Sequence, residues 1–292
     1  MLVDYSNTVL RPRPIAILYS NTNFYSNILQ ETYALSKRLF IQLKRRSSTF
    51  FAGIIQPLLW LILFGALFSN VSGEQFGTYL KYNTFLSAGV IVFTAFTGGL
   101  NSGLPIIFDR EFGFFNRLLS SPLNSRFSIF IATSYFIIVV TLIQISSIIL
   151  CTELLGVHIP NIKGFFIIFN IIFIVTIGIT LISISLAFLL SGHIQLLALI
   201  LVINLPVLFS STALAPLNIM PNWLKIIASV NPLTYAIETI RYVYLSVNVN
   251  CSIPIIQTIW GNLSIAKIFF YLIELDVIIV LLLLQLLKNK FR

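Results

Sequence analysis

Six apolar runs, at about 50–68, 83–104, 127–150, 164–190, 194–212 and 268–287, leave this chain little option but to fold inside a lipid bilayer. A hydrocarbon core about 30 Å thick is crossed by roughly 20 residues of helix rising 1.5 Å each, a length each run reaches or nearly reaches. Lipid offers no hydrogen bonds, so a spanning segment must satisfy its own backbone, as a helix does. Composition agrees: charged residues make up 9% of the 292 and hydrophobic ones 58%, whereas a soluble domain is about a quarter charged. The expected architecture is an all-α polytopic membrane protein with six transmembrane helices. Gln56-Pro57 in the first run and Asn204 with Pro206 in the fifth predict kinks, where freed backbone groups need partners on neighbouring helices. The fifth run is expected to be broken or re-entrant.

Basic residues are distributed unevenly around these runs. Arg11, Arg13, Lys37, Arg38, Lys44, Arg45 and Arg46 precede the first, Arg110, Arg117 and Arg126 follow the second, and Lys288, Lys290 and Arg292 close the chain. Only Lys81, Lys163, Lys225, Arg241 and Lys267 lie elsewhere. Positive charge is retained on the cytoplasmic side, so both termini and the loop after the second run are expected there, or on the equivalent side of an organelle membrane. The net charge of +9 then reports topology and attraction to anionic membrane lipids. Nucleic acid is not an expected partner, because the charge is not gathered on a soluble domain.

Residues 1–24 are expected to be a flexible tail, without the apolar core of a signal peptide. Residues 25–47 form an amphipathic helix, with Ile28, Leu35, Leu39 and Leu43 on one side and Lys37 and Lys44 nearly opposite. Such a helix lies in the membrane interface, either as an electrostatic anchor or as a lever between a partner and the first span. Residues 288–292 are a basic tail. Cys151 and Cys251 both fall on the outer side, where a disulfide is conceivable but two such distant cysteines are more often unpaired. The wealth of Ile, Phe, Asn and Ser is what an A/T-rich genome encodes, in an organelle or a bacterium.

Between the second and third spans, Phe108–Pro122 reads as a charged amphipathic helix. Phe108, Phe112, Phe115 and Leu119 wind onto one face, with Arg110 and Arg117 opposite and Gly113 in the middle. A glycine there signals close approach by a partner or simple tolerance. Before the last span, Pro221-Asn222-Trp223 opens a short helix, and Asn231 caps a second with Pro232 at its first position. That second helix carries Tyr235, Glu238, Arg241, Tyr242 and Tyr244, and reads as an interfacial helix or as a dip into the membrane. Glu274 and Asp276 lie near the middle of the last run. Two residues apart, they point in different directions, and at least one should face protein, water or a partner, in a structural hydrogen bond or a proton relay. His158 and His193, at opposite ends of a span, are too far apart to share a metal. No phosphate-cradling loop, hydrolytic constellation or metal cluster is present, so no cofactor is expected and the chain is not expected to be an enzyme.

The segment Asp109-Arg110-Glu111-Phe112-Gly113-Phe114-Phe115-Asn116-Arg117-Leu118-Leu119-Ser120-Ser121-Pro122 resembles the coupling helix of ABC-2 type transporter permeases. Pro221-Asn222-Trp223, Asn231-Pro232-Leu233-Thr234-Tyr235-Ala236 and Arg241 resemble the outer re-entrant segment of that family. Asn116 and Phe112 stand where many members carry acidic residues. The resemblance implies a type V exporter-like permease fold over 50–287, with a coupling helix at 108–120 and outer helices at 221–245. It also implies a second permease copy, identical or not, and a separate ABC ATPase that grips Phe112, Phe115 and Leu119 while Asp109, Arg110, Glu111 and Arg117 set register. The implied activity is export of an amphipathic or lipid-like cargo. An ATP-independent secondary transporter or channel, and a membrane assembly scaffold, are the alternative readings.

Overall fold

Each apolar run folds as a helix, and the punctuation in the sequence sets the ends. The computed structural model describes residues 24–68, 82–120, 127–157, 160–246, 250, 253–258 and 261–290. The tail 1–23, Ser121, Pro122, Arg126 and Cys251 lie outside these, as does the side chain of Leu119. In chain order the elements are α1 (Phe24–Arg45), α2 (Ser47–Leu67), α3 (Tyr82–Leu100), α4 (Gly103–Glu111), α5 (Phe114–Ser120), α6 (Phe127–Leu154), α7 (Ile162–Leu189) and α8 (His193–Phe209). A 3-10 turn at Leu217–Ile219 follows, then α9 (Asn222–Val230), α10 (Pro232–Leu245), the strands β1 (Pro254–Thr258) and β2 (Gly261–Ser264), and α11 (Ile265–Lys290).

The chain is thus an all-α polytopic membrane protein with one small hairpin. Segments Ser47–Leu67, Tyr82–Glu111, Ser128–Leu154 and Ile162–Leu189 are long and apolar enough to cross a bilayer. The fifth run is a short unbroken helix rather than a broken one: α8 has 17 residues, with Pro206 in its last turn. That gives it about 26 Å of length, just short of the hydrocarbon core. The hairpin pairs Ile256 with Leu263 and Thr258 with Gly261, antiparallel.

Helix α3 is the hub. Phe85, Leu86, Ile91, Val92, Ala95 and Phe96 on it are all buried, and α2, α6, α7 and α10 surround it. In lipid the hydrophobic effect does not press helices together, so packing and polar contacts decide which faces meet. Here polar side chains settle into glycine notches. A Cβ at Gly53 of α2 would lie 2.3 Å from Nε2 of Gln144 of α6, and one at Gly178 of α7 would lie 2.0 Å from Oδ1 of Asp276 of α11. Gln144 reaches the Phe50 carbonyl at 3.4 Å, beside the turn that Pro57 deprives of an N–H.

The amphipathic face of α1 is turned to the chain itself. Leu39 packs with Phe136, Ile137 and Val140 of α6, flanked by Phe40 and Leu43, and the Ser128 hydroxyl donates to Glu31 at 2.9 Å. Leu29, Tyr33 and Ile41 of the same helix remain exposed.

Candidate functional site

The segment expected to be one helix is two, and Gly113 is where it divides. Helix α4 closes at Phe112, whose N–H donates to the Phe108 carbonyl at 2.9 Å, and the Gly113 N–H reaches the Arg110 carbonyl at 3.3 Å. Gly113 has φ +74°, the left-handed conformation in which glycine ends helices without steric cost. Its role is therefore in the backbone, which neither the partner-approach nor the tolerance reading foresaw. The break also splits the expected aromatic face. Phe112 is 79% exposed, whereas Phe115 is 8% exposed and packs edge-on against Phe188 of α7, ring centroids 5.7 Å apart. Phe108 and Phe112, one turn apart on the same side of the break, remain stacked at 6.1 Å.

Three consecutive charges in α4 are engaged within the chain. Arg38 of α1 donates to Asp109 at 2.5 Å, and its guanidinium lies 4.0 Å from the ring centre of Phe114. One side chain thus touches both sides of the Gly113 break. Arg110 donates to the carbonyls of Ala187 at 2.9 Å and Phe188 at 3.4 Å, and to that of Leu190, the last acceptors of α7. Glu111 accepts from the backbone N–H of His193 at 2.7 Å and contacts the His193 ring at Nδ1, at the first residue of α8. The backbone donor of His193, foremost, holds the Glu111 carboxyl below its ordinary range. Phe112 and Arg117 face outward. His193, read from sequence as a loop residue, and Arg38, read only as one of the basic residues before the first span, belong to this corner and were missed by sequence reasoning, because their partners lie far away along the chain.

At the other end of α8 a second polar cluster is largely buried. Asn231 accepts from the Leu233 N–H at 3.0 Å, the expected helix cap with Pro232 behind it. Its amide donates to the Val207 carbonyl at 3.0 Å and to Ser210 Oγ at 3.2 Å, the last turn of α8. Arg241, 4% exposed, pairs with Glu238, donates to the Thr212 carbonyl at 2.8 Å and lies 3.6 Å from the Phe85 ring centre. Tyr235 is buried too and donates to the Ser229 carbonyl. So α10 is sunk into the bundle beside α3 and α7 rather than spread along its surface. Trp223, by contrast, is 64% exposed with Ile226, Ile227 and Val230 on the outer side of α9.

Of the two carboxylates in α11, Glu274 is exposed and Asp276 sits in the Gly178 notch. Neither makes a hydrogen bond among the described residues, and no three His, Cys, Asp or Glu side chains gather there as metal ligands.

Comparison with known proteins gives this geometry a context. The model of a family described as ABC-2 type transporter matches residues 30–245, which include both corners. The chain belongs to that family. It is 51% identical over 267 residues to a Porphyra purpurea protein named "Putative transport permease ycf38", covering 91% of each chain. Proteins of the same name from Pyropia yezoensis and Cyanophora paradoxa are each 49% identical, covering 99% and 93% of each chain. The similarity to the Pyropia yezoensis protein, over 99% of the chain, therefore runs through all the spans and both polar clusters.

Proposed function

We propose that this chain is the membrane-spanning permease subunit of an ATP-driven exporter, energised by a separate ABC ATPase that docks on the corner at Phe112–Arg117. The observation that carries this reading is Phe112. A phenylalanine 79% exposed at the turn of a positive-φ glycine is costly to leave in water, and buried aromatic anchors are what dominate protein interfaces. Around it Asp109, Arg110 and Glu111 are bonded to α1, α7 and α8, and the exposed Arg117 lies on the same segment, where a rim charge sets register. Membership of the family and the absence of a phosphate loop support an energy source on another chain.

A second permease copy completes the transport path, and the cargo is amphipathic or lipid-like, in keeping with the apolar exposed faces of α2 and α8. The termini lie on the basic side. The ycf38 names of the relatives support a plastid membrane, in which this topology would turn the basic side to the stroma.

Co-expression with a candidate ATPase subunit tests the reading. The wild-type chain should retain the ATPase through purification, and Phe112→Ala with Arg117→Glu should weaken the complex by about 30-fold or more, as expected when an interface anchor is lost. A wild-type chain that retains no ATPase overturns the proposal.

A further inference from the structure

We propose that Glu111 is the positioning residue that makes α8 follow the docking corner. A helix end exposes unpaired backbone groups, carbonyls with partial negative charge at the C-terminus and N–H groups with partial positive charge at the N-terminus. The turn between α7 and α8 puts one of each side by side. Helix α4 meets them with adjacent residues of opposite charge: Arg110 takes the carbonyls of Ala187, Phe188 and Leu190, and Glu111 takes the N–H of His193. The end of one helix thereby grips two others.

Three further observations point to Glu111 rather than to general packing. The N-cap of α8 is Gly192, which has no side chain to cap the helix, so the cap is supplied by Glu111 from 82 positions away. A Cβ at Gly192 would lie 2.8 Å from the Glu111 carboxylate, so even the smallest side chain there crowds the contact. Phe108 lies against the His193 ring, centroids 5.0 Å apart, and stacks on Phe112, which makes a short path from the exposed anchor to the start of α8. Along its length α8 is loosely held, with Ile194, Leu201, Val202, Leu205 and Phe209 all exposed. Its motion at this end is therefore set by what holds its first turn. That this motion serves transport rests on the docking reading above; the link itself does not.

The test separates a link from a mere cap. In the full chain in lipid nanodiscs, nitroxide labels replace Arg117 on α5 and Leu201 on α8, and electron–electron resonance measures their separation. Glu111→Ala combined with Gly192→Ser removes the link and gives α8 a cap of its own, since serine is a preferred N-cap and the carboxylate it would strike is gone. The expected result is a distance distribution about twofold broader than in the parent, with secondary structure content unchanged. A distribution matching the parent in the double variant means that Glu111 only caps α8, and overturns the proposal. A second label pair, at Tyr135 on α6 and Leu201, is read with the ATPase subunit before and after ATP. The parent should show a shift that the double variant loses; a double variant that shifts as the parent does overturns the proposal. If the parent binds no ATPase, the docking reading fails by itself, and the first label pair still decides the link.

Discussion

The two ends of α8 are held by polar side chains from neighbouring elements, and they are held in opposite ways. At the proposed docking corner Glu111 and Arg110 grip backbone termini from a partly exposed position. At the far end Arg241 and Asn231 grip the last turn and the chain after it from inside the bundle, with Arg241 stacked on Phe85 and paired to Glu238. The chemistry is alike and the dielectric is not. A buried ion pair is costly to desolvate and more costly to half-remove, so it fixes geometry. A partly exposed pair is screened by water and can be remade at small cost, so it suits a joint that moves. The far end reads as the fixed support of α8 and the docking corner as its handle.

The largest expected effect lies at the support. Arg241→Ala strands Glu238 and uncovers the Thr212 carbonyl, and should destabilise the fold by about 3–5 kcal/mol, seen as a lowered thermal midpoint in detergent. An unchanged midpoint would erase the distinction between the two ends. Midway, Gly178→Ala drives a methyl group into Asp276 and should cost about 1–3 kcal/mol, the usual range for overpacking. Combining it with Asp276→Ala should restore much of that loss, and a double-mutant cycle showing no coupling would place the strain elsewhere.

At the handle the effects shrink. Gly113→Ala forces a side chain into the left-handed region, at about 1–2 kcal/mol, and should lower ATPase affinity more than it lowers the thermal midpoint. Smallest is the response to pH. The Glu111 carboxyl is held below its ordinary value of 4.5, so the stabilisation it contributes is fully present above that value and lost only as pH falls through the lowered one. The separation of α5 and α8 should thus stay constant from pH 8 to about pH 5 and loosen only in stronger acid; loosening at neutral pH would show that another group governs the link.

Sequence alone showed that the apolar runs are helical, because a run of apolar residues in lipid has to satisfy its own backbone. It also placed the Asn231–Pro232 cap, whose two residues act on their own neighbours. It joined α4 and α5 into one helix because periodicity continues through Gly113, and only the glycine's φ reveals the break. It took Arg110, Glu111 and Arg241 as charges on exposed or interfacial surfaces. Their partners are Leu190, His193 and Thr212, and in two of the three cases the partner is a backbone carbonyl that carries no mark in the sequence.

Hydropathy by itself determined that this chain is an all-α membrane protein, since that follows from the solvent each residue can tolerate. Which charges are engaged within the chain was decided only by tertiary structure. Phe112 is exposed and Phe115 buried, and Glu111 holds α8 rather than facing outward, because helix ends brought together in space offer backbone groups that a nearby charge satisfies first.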